Sequence, residues 1–257
     1  MDIDQSPPET QPLSNPSPGM TVRLGTCDDL DSLVDLGLAA MPMDPQWDYR
    51  YPHRLEYPDE HRVCIRQSWA RFFRPDPGGG RRVVLFVDYK SNASSHSTKP
   101  ISFSVSHFPS QTRQEQGHEV PQQSAFADNH PSNFSPVSST MCGNRRDWNP
   151  GHVEAFRCAV RAASDGRFAS RYGEKQAHLQ ILGTHPGYQR RGAASALLRY
   201  GIKQAREEKL PITLFASHMG QPLYARFGFE DRGTVVVQVD GEEIKVTLTA
   251  MALEVTE

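Results

Sequence analysis

Between residues 177 and 209 the chain reads as strand, turn and helix, and the junction holds the residues best suited to chemistry. Residues 177–182 read as an apolar strand with polar residues at alternate positions. His185-Pro186-Gly187-Tyr188 is a turn in which the proline cannot continue a ladder. Gln189-Arg190-Arg191-Gly192-Ala193-Ala194 then opens a helix whose predicted inward face is Ala194, Leu197, Leu198, Gly201, Ile202 and Ala205. A helix start leaves N–H donors without intrahelical partners, and the macrodipole adds positive potential there. Small residues at Gly192, Ala193 and Ala194 let an anion approach those donors, while Arg190 and Arg191 add charge. This is the architecture of a cradle for a pyrophosphate; the plainer reading of the same residues is a solvated turn. Neither a G-x-x-x-x-G-K-[ST] phosphate loop nor a G-x-G-x-x-G dinucleotide fingerprint is present.

The elements that must position this cradle can be read around it. A short strand at 21–24 precedes a helix with apolar or small residues at Leu30, Leu33, Val34, Gly37, Leu38 and Met41, one face of a 3.6-residue period. Thr26 and Asp29 form a capping pair for it, and Pro42 closes it. The segment 41–58, rich in proline and aromatics, is too proline-punctuated for a helix or a central strand. A second helix is predicted over 59–73, with Ile65, Trp69, Phe72 and Phe73 inward, then a turn at Gly78-Gly79-Gly80. Two strands follow at 83–87 and 101–105. The first is a continuous apolar run and so reads as central, whereas the second alternates with serine. A third helix at 151–164 carries Val153, Phe156, Ala159, Val160 and Ala163. Beyond the cradle come a strand at 212–217, a short helix ended by Gly228, and strands at 235–239 and 246–253 joined through Asp240-Gly241.

Composition bounds the rest. The 257 residues are 37% hydrophobic, with 20 prolines and 19 glycines, so a real core is mixed with polar stretches. Residues 1–19 read as a disordered tail and 109–150 as a disordered insertion within a domain spanning 20–257. A net charge of −2 gives no basic field directed at nucleic acid. No run approaches a membrane span, and the N-terminus lacks the features of a signal or transit peptide, so a cytoplasmic protein is expected, with the nucleus left open. Cys27, Cys64, Cys142 and Cys158 lack C-x-x-C spacing and are expected to be free thiols, and no metal is expected.

The chain resembles the GNAT superfamily of N-acetyltransferases. The residues that carry the likeness are Gln189-Arg190-Arg191-Gly192-Ala193-Ala194, matching [QR]-x-x-G-x-[GA], with Thr184-His185-Pro186 before them. Leu223-Tyr224 followed by Phe227-Gly228-Phe229 match the second half, with one helix and one strand between. LGTHPGYQRRGA and ASHMGQPLY look most like fungal members. The likeness is strong over 177–230, plausible over 20–90 and absent from the tail and the insertion. It implies an α/β fold: a mixed, mostly antiparallel sheet of six or seven strands flanked by helices and splayed where acetyl-CoA binds. It further implies that Leu182, Gly183 and Thr184 diverge from the strand ending at Ser217 and bond the pantetheine. The pyrophosphate would sit on the amides of Arg190, Arg191, Gly192, Ala193, Ala194 and Ser195, beside Gln189. Tyr224 would protonate the leaving thiolate.

The implied activity is direct transfer of acetyl from acetyl-CoA to the primary amine of a small acceptor, without a metal. Many relatives place a glutamate on the strand before the motif, but this chain has His178 and Gln180 there. His178, a carboxylate of 41–58 (Asp44 or Asp48), or no base at all stay open. Trp47 and Tyr49 are candidates for binding a cationic amine, against the alternative that 41–58 is a hydrophobic lid. The expected partners are the amine alone, with neither nucleic acid nor membrane, in a monomer or homodimer. Alternatives are another acyl group or an oxygen acceptor, or a CoA-binding regulatory module without catalysis.

Overall fold

The computed structural model describes residues 18–90, 98–110 and 142–255. Its frame is one seven-stranded sheet of order β1-β2-β3-β4-β5-β7-β6. The strands are β1 (Met20–Leu24), β2 (Arg81–Tyr89), β3 (Lys99–Phe108), β4 (Ala177–Thr184), β5 (Ile212–Ala216), β6 (Glu230–Gln238) and β7 (Lys245–Leu253). Every neighbouring pair is antiparallel except β4 and β5, which run parallel. The mixed, mostly antiparallel α/β architecture expected above is the one observed.

Helices cover both faces. On one lie α1 (Leu30–Ala40), α3 (Pro58–Trp69) and α4 (Pro150–Ser164); on the other lie α5 (Ala193–Glu207) and α6 (Gln221–Arg226). The continuous apolar run of β2 follows from this. Val83, Leu85 and Val87 pack toward α5, while Val84 and Phe86 pack toward α1 and α3. Each large side chain so buried contributes about 1.5–3 kcal/mol. Thr26 and Asp29 form the expected capping pair, the Asp29 carboxylate accepting from the Thr26 amide at 2.8 Å.

β3 differs from expectation. Its serines do not face solvent: Ser102 and Ser104 are buried, and Ser104 and Ser106 line a cavity with Leu197, Gly201 and Ile202 of α5. Its alternation separates small residues under a helix from large ones under another. β3 is therefore as internal as β2.

The segment after α1 holds a further helix, α2 (Pro45–Arg50), contrary to the expectation that its prolines forbid one. Pro45 occupies the first helical position, where the missing N–H has no intrahelical acceptor anyway, and the Asp44 side chain caps by accepting from the Gln46 amide. Along α5 the buried residues are Ala193, Ala196, Leu197, Leu198, Ile202 and Ala205, whereas Ala194 and Gly201 of the expected face are only half-buried.

Two further expectations are corrected. Cys64 and Cys142 are not free thiols but a disulfide, their Cα atoms 5.5 Å apart, whereas Cys27 and Cys158 are free. Sequence spacing could not show this, because α3 meets the residues before α4 only in the folded chain. The insertion also ends earlier than 150. Residues 142–149 are packed, with Asp147 fully buried between Arg145 and His61. Residues 111–141 of the expected insertion, and 1–17 of the expected tail, lie outside the described residues. Gly19 belongs to the fold, its carbonyl accepting from the Lys90 amide at 2.9 Å.

Candidate active site

β4 and β5 are paired over three positions, Ala177 with Ile212, His178 with Thr213 and Leu179 with Leu214. There the pairing ends. On its other side β4 stays with β3, but the register passes from Ser106–Leu179 to Val105–Ile181, so Gln180 is an extra residue bulged out of β4. The bulge reverses which face each later residue takes. Ala177, Leu179 and Leu182 therefore all pack toward α5, and Ile181 packs toward α1 and α3. β5 meanwhile follows β7, Phe215 opposite Ala250 and Ala216 opposite Thr249. A wedge opens between the two parallel strands. On the β5 side of Leu182, Gly183 and Thr184 the backbone has no neighbouring strand, and backbone groups left so are open to an extended ligand.

The rim of this wedge is the predicted cradle. Gly192 caps α5 in the left-handed conformation at φ +89°, and Arg190 precedes it at φ +61°. No side chain caps this helix, so its first-turn amides face outward with their dipole. Arg190 and Arg191 are exposed beside them, the Arg191 guanidinium lying 5.4 Å from the Tyr188 ring centroid. Gln189 ties the rim to the turn before α2, its amide nitrogen donating to the Thr184 carbonyl at 3.3 Å and to Met43 Sδ at 3.2 Å. Thr184 is fixed in turn by Ser102, whose hydroxyl lies 2.8 Å from Thr184 Oγ1 and donates to the Gly183 carbonyl. Gly183 has no room for a side chain: a Cβ there would stand 2.7 Å from Met41 Cε and 2.8 Å from the Phe103 ring.

Ser217 ends the other arm, its carbonyl accepting from the amides of Gly220 and Gln221 and so starting α6. That helix carries Tyr224, buried, with its ring edge-on to Phe229 at 5.8 Å. Burial, and then the charge of Asp44, push the Tyr224 phenol well above its ordinary value. It is therefore protonated throughout the neutral range. Asp44, half-buried at the start of α2, directly follows Met43, which meets Gln189 at the rim of the wedge.

The three candidate bases separate. Asp48 is exposed and paired with Arg54 at 2.8 Å. His178 packs between Phe168 and Phe215, shares a hydrogen bond between Nδ1 and Thr213 Oγ1 at 2.9 Å, and is pushed down to about 4 by burial. It is a core histidine. Asp44 is half-buried at the start of α2, next to Met43 at the rim of the wedge.

Trp47 and Tyr49 do not form an open cage. They are only 3% and 5% exposed. Trp47 lies in the α1–α3 core, and Tyr49 stacks flat on His152 at 4.1 Å. Segment 41–58 thus packs as a hydrophobic lid: α2 turns Trp47 and Tyr49 inward, and the turn before it meets the rim through Met43. Sequence reading missed Met41, Met43 and the Gln180 bulge. The spacing of Leu179 and Leu182, three residues where a regular strand needs two or four, was its available signal.

Among the described residues no cluster of histidine, cysteine and carboxylates is arranged to hold a metal, and no helix is long and apolar enough to cross a membrane.

Residues 160–255 match the model of the acetyltransferase (GNAT) domain family. A curated relative from Stachybotrys chartarum, an acetyltransferase, is 29% identical over 97 residues, which are 38% of this chain and 40% of that one. The chain thus spans less than half the length of that relative. Among solved structures, the polyamine N-acetyltransferase of Drosophila melanogaster is similar at a TM-score of 0.56 and 14% identity, over 91% of this chain and 99% of that one. A Corynebacterium glutamicum protein, described as histone acetyltransferase HPA2 and related acetyltransferase, is similar at 0.53 and 15% identity, over 93% and 98%.

Proposed function

We propose that this chain, whose residues 160–255 match the acetyltransferase (GNAT) domain model, is a GNAT-type, acetyl-CoA-dependent N-acetyltransferase acting on the primary amine of a small acceptor. The observation that carries this reading is the parting of β4 and β5 beyond Leu179 and Leu214, with an uncapped helix start at one rim and Tyr224 at the other. A thioester is already activated toward a neutral amine, so the chain must chiefly hold two substrates together and move two protons.

The amides of residues 190–195, with Arg190 and Arg191, suit the pyrophosphate. The open edge at Leu182, Gly183 and Thr184 suits the amide-bearing pantetheine arm, which adds to the sheet as a strand would. An N–H on that edge stabilises negative charge developing on the carbonyl oxygen. Asp44, on the acceptor side, attracts the ammonium and takes its proton, leaving the amine lone pair free to attack. Tyr224 gives its proton to the departing thiolate. Holding donor and amine in one wedge contributes up to about 7–11 kcal/mol for ideally oriented reactants.

Calorimetric titration tests the reading directly. Acetyl-CoA, CoA and propionyl-CoA are expected to bind saturably and NAD not at all. Absence of CoA binding overturns it. With binding in hand, an amine screen following CoA thiol release identifies the acceptor, and comparison of acetyl- with propionyl-CoA fixes the acyl group.

A further inference from the structure

The lid that brings Asp44 to the wedge is held from behind by one stretch of chain, residues 145–152. The Asn149 amide donates to the Arg50 carbonyl at 3.0 Å, and the His53 amide donates to the Asp147 carbonyl at 3.2 Å. His152 Nδ1 donates to the Tyr49 carbonyl at 2.7 Å while its ring stacks on Tyr49. The Arg145 guanidinium lies 5.2 Å from the Tyr51 ring centroid. These contacts fall on α2 and the turn after it.

This stretch is anchored in turn to α3, at three positions within about one helical turn. Glu60 pairs with Arg146 at 3.0 Å and His61 Nδ1 meets Asp147 at 2.6 Å. The third anchor is covalent, the disulfide from Cys64 to Cys142. It closes a loop of 78 residues, so it removes much conformational freedom from the stretch it ends. None of these anchors touches β4, the turn after it or α5.

We propose that the Cys64–Cys142 disulfide is a positioning bond for the acceptor side of the site and a redox control point, opened by a dithiol reductant. Opening it leaves residues 142–149 held to α3 only by the Glu60–Arg146 and His61–Asp147 pairs, which loosens the lid and shifts Asp44, while the anion cradle stays formed. The catalytic consequence rests on the role of Asp44 given above; the effect on the lid does not.

The sulfur chemistry is balanced. Cys64 is 2% exposed and Cys142 is half-buried, so an incoming thiolate attacks Cys142 Sγ. The S–S bond breaks, and Cys64 leaves as a thiolate and takes up a proton. The second thiol of the reductant then attacks the mixed disulfide, releasing Cys142 as a thiol and closing the reductant to its own disulfide. Two electrons pass from the dithiol to the protein.

The test uses the full chain, oxidised and after dithiothreitol, with Cys142→Ser as a permanently open form. Native thiol titration should rise from two to four of the four cysteines on reduction. Hydrogen–deuterium exchange over residues 44–57 should accelerate by about fivefold or more in the reduced chain and in Cys142→Ser, with 177–184 and 193–207 unchanged. Acetyl-CoA affinity should stay within about twofold, since the amides of residues 190–195 belong to the start of α5, and the rim's tie to the lid, Gln189 to Met43, lies before residues 44–57. A Cys27→Ser/Cys158→Ser chain should respond as the parent does. The proposal fails if dithiothreitol leaves two thiols in the folded chain, if 44–57 exchanges unchanged, if β4 and α5 accelerate equally, or if the double variant loses the response. Because exchange is read without turnover, absence of acetyl-CoA binding would overturn the function proposed above and leave this result standing.

Discussion

Leu179 stands opposite Leu214, and this pair is the last at which β4 and β5 face each other. One residue further, Gln180 bulges out of β4, while β5 continues alongside β7. Two parallel strands that begin paired and then part leave an edge inside a sheet. At its open end stand a helix start without a side-chain cap and a buried tyrosine that feels a carboxylate from the lid. The function proposed follows from that one departure from regular pairing.

Replacing Tyr224 by Phe removes one oxygen and little packing. Turnover is expected to fall by about 10²–10⁴-fold, the usual contribution of a positioned acid. Acetyl-CoA binding by calorimetry should be unaltered. Normal turnover in this variant would remove Tyr224 from the proton path.

Asp44→Asn separates charge from capping. Asparagine caps a helix about as well as aspartate, so the melting temperature should hardly move. kcat/KM for the amine at neutral pH should drop by about 10²-fold or more, as for loss of a general base. Asp48→Asn is the comparison. That residue is exposed and paired with Arg54, and an exposed pair contributes only about 0–1 kcal/mol, so both activity and stability should hold.

Gly192 combines two demands that two substitutions resolve. At φ +89° any side chain is strained, so Gly192→Ala is expected to cost about 1–2 kcal/mol in a denaturant titration. Gly192→Leu adds bulk at the anion cradle and should weaken acetyl-CoA by more than about tenfold, since the amides there must be approached closely. Equal affinities for the two variants would argue against phosphate binding at this turn.

His178 makes stability depend on pH. Burial first, and the nearby charge of His107 second, hold its imidazole at about 4, below the ordinary 6.5. Between those values the unfolded chain binds more protons than the folded one. The contribution is therefore full above about pH 6.5 and is lost as the pH falls toward 4. At about 1.4 kcal/mol per unit the loss is at most roughly 3 kcal/mol. Urea midpoints measured from pH 7.5 to 4 should fall for the parent chain and less steeply for His178→Asn.

Much of this was readable in the residues. The strand–turn–helix at 177–205, the left-handed glycine that opens α5 and the closing hairpin depend on periodicity, on Pro186 and on Gly192 and Gly241, which act within a few neighbours. Continuous apolar content gave the interior position of β2 for the same reason. Local rules also misled. Segment 41–58 reads as too proline-rich for a helix, yet Pro45 starts one, and the alternation of β3 makes β2 alone read as central although the β3 serines are buried under α5.

The sequence by itself determined the strands, the cradle and the likeness to a family, because each rests on the spacing of residues close together in the chain. Only the tertiary structure decided that Asp48 is paired with Arg54 and His178 packed in the core, that Trp47 and Tyr49 are enclosed, and that Cys64 is joined to Cys142. Those outcomes depend on which elements face one another after the sheet has formed. Charge, burial and sulfur geometry act through space, and separation along the chain carries no record of them.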